Sequence, residues 1–411
     1  MKGTPYHLTV FGATSFVGQL VTRYLMAEFG LQGRLRWAIA GRSAAKLQAL
    51  RKSLGRKAAD LPILIADADD EVALGRLCDQ SAVIVSTVGP YALYGEPLVK
   101  VCAESGTDYC DLTGEVQWIH RMLRAYEKTA RRNGARIVHC CGFDSIPSDL
   151  GVHYLQQQSM KRFGQPCTQV KMRVRTMRGG FSGGTVASML QFIKEAADDP
   201  ALRKQIANPY VLCPEGYGSR VRQPNVKFAE YDVDFQSWVA PFVMGAVNTR
   251  IVQRSNALAK QAYGANFRYD EAVLAGRGVK GRLTASAIGG GLAGFMLASS
   301  VGPVRGALER FVLPGPGEGP SPEQQEKGRY DLRFFGRTED GRALRVKVTG
   351  DRDPGYGSTA KILGQAGACL ALDIDKSDAP GGFWTPATLL GDRLIRRLVA
   401  HAGVTFDAID A

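Results

Sequence analysis

From the N-terminus to about Leu155, short apolar runs alternate with longer amphipathic ones. The runs from Leu8 to Phe11, Leu35 to Ala40, Ile63 to Ala66, Ala82 to Val88, Thr107 to Leu112 and Arg136 to Cys141 read as strands. Segments repeating at helical spacing lie between them, including Phe16 to Phe29, Ala44 to Leu54, Glu96 to Ser105 and Val116 to Asn133. Strands that are apolar throughout, rather than at every second residue, are covered on both faces. With helices between them they predict a parallel, doubly wound α/β domain over residues 1–155.

The pattern changes after Ser159. "QVKMRVRTMRGG" alternates polar and apolar residues, a helical "TVASMLQFIKEAADD" follows, and "YDLRFFGRT" and "RALRVKVTG" alternate again. These predict an α+β substrate or dimerisation domain over 156–350 with antiparallel strands. The turn-rich stretch from Pro314 to Gly328 reads as an exposed linker. Residues 351–411 return to helix, in "GSTAKILGQAGACLAL" and in "TPATLLGDRLIRRLVAHAG", where Thr385 is the expected cap and Pro386 occupies the first turn. These last helices are expected to pack back on the first domain.

Apolar residues make up 45% of the chain, enough for a globular protein of about two domains at 411 residues. Lys and Arg number 52 against 39 Asp and Glu, and the net charge of +13 favours an anionic cofactor, an acidic partner or an anionic membrane surface. Eight cysteines without CxxC pairing suit a reducing compartment, and five scattered histidines outline no metal site. The N-terminus has no long apolar stretch, which predicts a cytoplasmic protein, whether free or peripheral on the inner face of the plasma membrane. No nucleic-acid module is recognisable. The uncharged run from Thr284 to Val304, flanked by Lys280, Arg282 and Arg305, is too rich in glycine for a good spanning helix. Burial against the second domain is expected there, with peripheral membrane contact as the alternative.

The first strand ends in "FGATSFVG". A GxGxxG register fails, because its later glycines would be Thr14 and Val17, but GxxGxxG fits Gly12 and Gly18 with Ser15 between them. Such a turn lets backbone N–H groups at a helix start face a diphosphate, which points to Gly12, Thr14, Ser15, Phe16, Val17 and Gly18 as a dinucleotide cradle. Ser15 is expected to offer its hydroxyl to a phosphate. The second strand ends in "AGRSAAKL" without the acid that would hold a ribose diol. Arg42, Ser43 and Lys46 suit a 2′-phosphate instead, so the expected cofactor is NADP(H).

"FGATSFVG", "AGRSAAKL", "STVGPYALYGEPLVKVCAESGTDYCDLTGE" and "HCCGFDSIPSDLG" together resemble the saccharopine dehydrogenase-like oxidoreductase family, most closely its trans-acting enoyl reductase branch. The likeness continues in "GGFSGGT", "GPGEGPS", "DPGYGSTAKIL" and "GGFWTPATLLGD". It implies an NADP-type Rossmann domain, a second α+β domain for substrate, and reduction of an unsaturated acyl chain of a lipid or polyketide. A saccharopine-type amino-acid dehydrogenase, or a non-catalytic lipid-associated protein retaining the fold, are the competing readings.

Hydride addition to an enoyl group requires a proton donor and a polarised carbonyl more than a nucleophile. Thr87, Gly89 and Pro90 leave the fourth strand at the edge where a nicotinamide would lie. Tyr91, Tyr94 and Asp144 are the candidate catalytic groups, the first two through their phenols. Asp144 and Ser145 also suit a helix cap, and Asp111, Thr113 and Glu115 are further cleft candidates. Arg121, Arg124, Lys128 and Arg131 form a basic stripe on one helix, which is either a solvated face or a dock for an acidic acyl carrier.

Overall fold

The computed structural model describes residues 3–179, 183–219, 221–300, 302, 306 and 319–409. Its strands are β1 (Tyr6–Phe11), β2 (Trp37–Gly41), β3 (Ile63–Ile65), β4 (Ser81–Ser86), β5 (Asp108–Asp111), β6 (Arg136–Val138) and β7 (Cys167–Arg178). They continue with β8 (Glu230–Asp232), β9 (Ser237–Pro241), β10 (Arg268–Gly276), β11 (Arg329–Thr338), β12 (Ala343–Gly350), β13 (Gly382–Trp384) and β14 (Val404–Ile409).

One sheet runs β13-β6-β5-β4-β1-β2-β3 with every neighbouring pair parallel. Its central strands are buried along nearly their whole length, as continuous apolar runs require. The order reverses between β1 and β4, and the carboxyl ends of strands at such a switch point form the ligand crevice of open α/β sheets. The last part of the chain rejoins this sheet. β13 pairs with β6, and helix Thr359–Leu372 lies over β1 and β4. Close approach there demands Gly367, because a Cβ at that position would come within 2.5 Å of Val85 and 2.7 Å of Leu8.

The second sheet runs β14-β12-β11-β7-β10-β9-β8. It is mixed rather than antiparallel throughout, because β7 pairs parallel with β10. Between these two strands the chain makes a long crossover that includes helices Gly183–Asp198, Pro200–Ala207 and Gly245–Leu258, and such a connection is what parallel neighbours need. Helix Ile146–Phe163 covers one face, with Gly151 set directly against the Phe334 ring.

Two expectations are corrected here. Residues 322–327 of the supposed linker form a helix, closed by a capping box between Ser321 and Gln324, while residues 314–318 lie outside the described part. The apolar run is not buried: it lies in helix Gly278–Ser300, which has a mean hydropathy of 1.3 and only 17% of its apolar window covered. Small residues explain this. Gly281, Ala285 and Gly289 make one narrow contact with Gly276, Phe228 and Pro241, and the larger apolar side chains point elsewhere. Residues 301 and 303–305, the end of that run with Arg305, lie outside the described part.

Candidate active site

The loop after β1 is shaped by close backbone contacts. Gly12 has φ +80°, and a Cβ there would lie 2.6 Å from Val88. A Cβ on Gly18 would lie 2.2 Å from the Gly12 carbonyl and 2.8 Å from Thr87 Oγ1, so strand and helix meet at glycine-only distance. Ser15 caps helix Phe16–Phe29, its Oγ accepting the Gly18 N–H at 2.9 Å. Thr87 donates to the carbonyl of Gly12 at 2.9 Å, which leaves its Oγ1 as acceptor for the Ser15 hydroxyl at 3.0 Å. The hydroxyl expected to reach a phosphate is therefore committed to the protein. The residue in place of the middle glycine ties the loop to the end of β4. With Gly18 and Gln19 bonded back to Ser15, the first-turn N–H groups of Phe16 and Val17 have no helical acceptor. Phe16 is fixed by the Tyr356 ring, 5.2 Å away edge-on, and Thr14 holds the Gln19 amide on its carbonyl.

At the end of β2, Arg42 and Lys46 are exposed, and Ser43 caps the next helix by accepting the Lys46 N–H at 3.3 Å. No Asp or Glu lies in this turn. A glycine-narrowed crevice with free amide donors and two exposed cations beside the second strand fits NADP(H).

Beyond β4, Thr87 leads into a cis Gly89–Pro90 peptide and a short helix, Tyr91–Tyr94. Tyr91 is corrected as a proton donor to substrate: it is buried, its hydroxyl donates to the Ser86 carbonyl at 2.9 Å, and burial raises its pKa well above that of a free phenol. Tyr94 is exposed at the outer end of the same helix. Glu115 and Asp111 also serve the fold. Glu115 accepts the N–H groups of Tyr91 and Ala92 at 2.9 and 2.8 Å, and burial outweighs these bonds to raise its pKa. Asp111 pairs with His139 Nδ1 at 2.6 Å and accepts the N–H groups of Thr113 and Cys140 at 3.1 Å each. Thr113 Oγ1 accepts the Glu115 N–H. Each of these groups holds the crevice floor in place.

Asp144 is different. It follows β6 at the same sheet edge, and among the described residues no side chain or backbone group outside its own residue donates to its carboxylate. The cap position of helix Ile146–Phe163 belongs to Ser145, not Asp144, but its side chain makes no cap bond: the hydroxyl crosses to donate to Asn248 Oδ1 at 2.9 Å. Asp144 keeps partial exposure, yet desolvation of its carboxyl, helped by the charge of Asp111, pushes its pKa up to about 7. A Cβ on the adjacent Gly114 would find Asp144, Met244 and Val247 around it, so the carboxyl borders an apolar wall from helix Gly245–Leu258 and its approach.

Sequence reasoning missed the supports behind it. Asn248 donates to Ser148 Oγ and to Glu271 Oε2, and Tyr269 donates to Glu271 Oε1 at 2.7 Å. Burial lifts Glu271 to about 7 as well. Their signal was polar residues inside otherwise apolar periodic segments, "GAVNTRIV" and "YDEAVLAG", more than 100 residues along the chain from Asp144.

Residues 8–138 match the family described as the saccharopine dehydrogenase NADP binding domain. A Mycobacterium tuberculosis protein of strain H37Rv, carried under the provisional name trans-acting enoyl reductase, is 41% identical over 416 residues, 98% of each chain. The trans-acting enoyl reductase of Mycobacterium ulcerans strain Agy99 is 38% identical over 414 residues, 98% of this chain and 97% of that one. Among solved structures, the apo saccharopine dehydrogenase (L-Glu forming) of Saccharomyces cerevisiae has the same fold, with a TM-score of 0.53 at 13% identity, covering 98% of this chain and 99% of the yeast chain.

Proposed function

The chain belongs to the saccharopine dehydrogenase-like oxidoreductases, in the trans-acting enoyl reductase branch, and is an NADP(H)-dependent enzyme; on that premise we propose that it reduces the carbon–carbon double bond of an unsaturated acyl chain borne by a lipid or polyketide. One observation carries the substrate class. The unengaged carboxyl at the crevice, Asp144, borders Met244 and Val247, whereas an amino-diacid would need cations converging there.

When bound, NADPH supplies hydride. The N–H groups of Phe16 and Val17 and the close backbone at Gly12 and Gly18 would receive its diphosphate, Arg42, Ser43 and Lys46 its 2′-phosphate, and Thr87, Gly89 and Pro90 its nicotinamide end. Asp144, with a pKa of about 7, is partly protonated at neutral pH and is suited to deliver a proton to the α-carbon. Met244 and Val247 exclude water from the reacting chain. The exposed Arg121, Arg124 and Lys128 give an acidic acyl carrier a place to dock.

The test is NADPH consumption with a medium-chain 2-enoyl thioester, against saccharopine with NADP+ as comparator. The proposal expects turnover of the thioester and its loss in Asp144→Asn with NADPH affinity retained. Turnover of the amino-diacid alone would refute it.

A further inference from the structure

Asp111 ends β5 fully buried, and most of its bonds go to one turn, the stretch that leads from β6 to Asp144. His139 Nδ1 donates to its Oδ2 at 2.6 Å, the Cys140 N–H donates to its Oδ1 at 3.1 Å, and the Cys141 N–H donates to its main-chain carbonyl at 2.6 Å. One residue thus holds three consecutive residues of the turn. Cys140 has φ +61°, a left-handed conformation that a residue other than glycine keeps only where its surroundings impose it. Just beyond, the Asp144 carboxyl folds back over Gly142, where a Cβ would lie 2.7 Å from Asp144 Oδ2. On the far side the chain is tied again, by the Ser145 hydroxyl on Asn248. The Asp144 carboxyl is therefore aimed by the backbone before and after it.

His139 does not cancel the charge of Asp111. Its Nε2 is buried and has no hydrogen-bond partner among the described residues, so a second ring proton would have no acceptor. The neutral ring, donating from Nδ1, leaves no donor unmet. Other groups that face the Asp144 carboxyl bring no charge. Tyr91 from helix Tyr91–Tyr94 and Cys140 from the same turn titrate, but burial raises both well above their ordinary values and keeps them neutral. Leu112, Thr359, Met244 and Val247 do not titrate. Asp111 is left as the charge acting on Asp144, and a negative charge behind a carboxyl favours its protonated form.

We propose that Asp111 is a positioning residue for the proton donor: its carboxylate sets the Cys140 turn that aims the Asp144 carboxyl and holds a negative charge behind it. Being fully buried, Asp111 acts through Asp144 alone, and the proposal rests on the reading of Asp144 as the donor in acyl reduction.

The test is the pH profile of kcat for NADPH-dependent reduction of a medium-chain 2-enoyl thioester by the full protein, with NADPH affinity and melting temperature read alongside. In the parent, kcat should fall as pH rises through about 7 and Asp144 loses its proton. Asp111→Asn keeps an oxygen for the Cys140 N–H but removes the charge, so this limb should move down by about one pH unit, with NADPH affinity within about twofold of the parent. Asp111→Ala removes the clamp as well, and kcat should drop at least about tenfold at every pH while NADPH affinity is kept. A purely structural Asp111 would lower the melting temperature in both variants without moving the limb. Should Asp111→Ala fail to fold, Asp111→Asn still decides, because the position of a limb does not depend on how much enzyme is folded. A limb that stays near 7 in Asp111→Asn but is abolished in Asp144→Asn would overturn the proposal and spare the donor. So would an Asp111→Ala variant that loses NADPH affinity as much as kcat. A limb that survives in Asp144→Asn would remove the donor, and this proposal with it.

Discussion

Replacing Gly18 by alanine tests the cradle most directly, because the added methyl is aimed at backbone rather than at a yielding side chain. Its Cβ would start 2.2 Å from the Gly12 carbonyl oxygen, and relief to a 3 Å contact requires a shift of roughly 0.8 Å. That oxygen accepts both the Ser15 N–H and the Thr87 hydroxyl at 2.9 Å, so moving it strains two bonds that shape the loop. Overpacking of this kind costs about 1–3 kcal/mol, and two weakened hydrogen bonds bring the total to roughly 2–4 kcal/mol. At about 2–4 °C per kcal/mol the melting temperature should drop by roughly 4–16 °C. The same displacement moves the amides that would meet the diphosphate, so NADPH affinity, read by fluorescence titration, should fall at least about tenfold. Gly75→Ala is the control: it lies in helix Glu71–Asp79 with nothing within 4 Å of a new Cβ, and should be neutral or slightly stabilising. If Gly18→Ala melted earlier but bound NADPH within twofold of the parent, the glycines would serve strand–helix packing alone and the cradle would be misassigned.

Arg42→Asp should weaken NADPH roughly tenfold to a hundredfold while sparing NADH, the range of a charge-assisted bond replaced by repulsion; equal losses for both cofactors would remove Arg42 from the 2′-phosphate site. With Asp144 as the donor, kcat should fall as pH rises through about 7, and Asp144→Asn should flatten that limb without changing NADPH affinity; an unchanged profile would exclude this carboxyl. Glu271 holds its proton to about 7 when folded but only to about 4.5 when unfolded, so the stability it contributes is full below 4.5 and lost as pH rises through 7. Parallel melts of the parent and Glu271→Gln should therefore show the parent gaining relative to the variant as pH is lowered from 7 to 4.5, and parallel curves would contradict the burial argument.

Much of the first domain was legible because its signals are local. Continuous apolar runs, a positive-φ glycine after β1 and the Ser43 and Thr385 caps each depend on a few neighbouring residues, and helices Phe16–Phe29, Glu96–Ser105 and Val116–Asn133 begin and end where the periodicity predicts. The mixed second sheet was harder: alternation marks a strand but does not reveal its partner, and only the crossover before β10 makes that strand run parallel to β7. Helix Gly278–Ser300 shows the same limit, since an apolar composition does not say which side the sheet will cover.

The sequence by itself determined a doubly wound sheet with a glycine-narrowed turn and cations after the second strand, because strand burial and backbone clearance are set by residue type and spacing. Only the tertiary structure decided which polar groups remain available for chemistry. Tyr91, Asp111 and Glu115 looked as eligible as Asp144 along the chain, yet folding brings backbone donors and acceptors from other segments onto the first three. The fourth is left desolvated with no such partner among the described residues, since hydrogen bonding between distant segments depends on geometry that spacing does not encode.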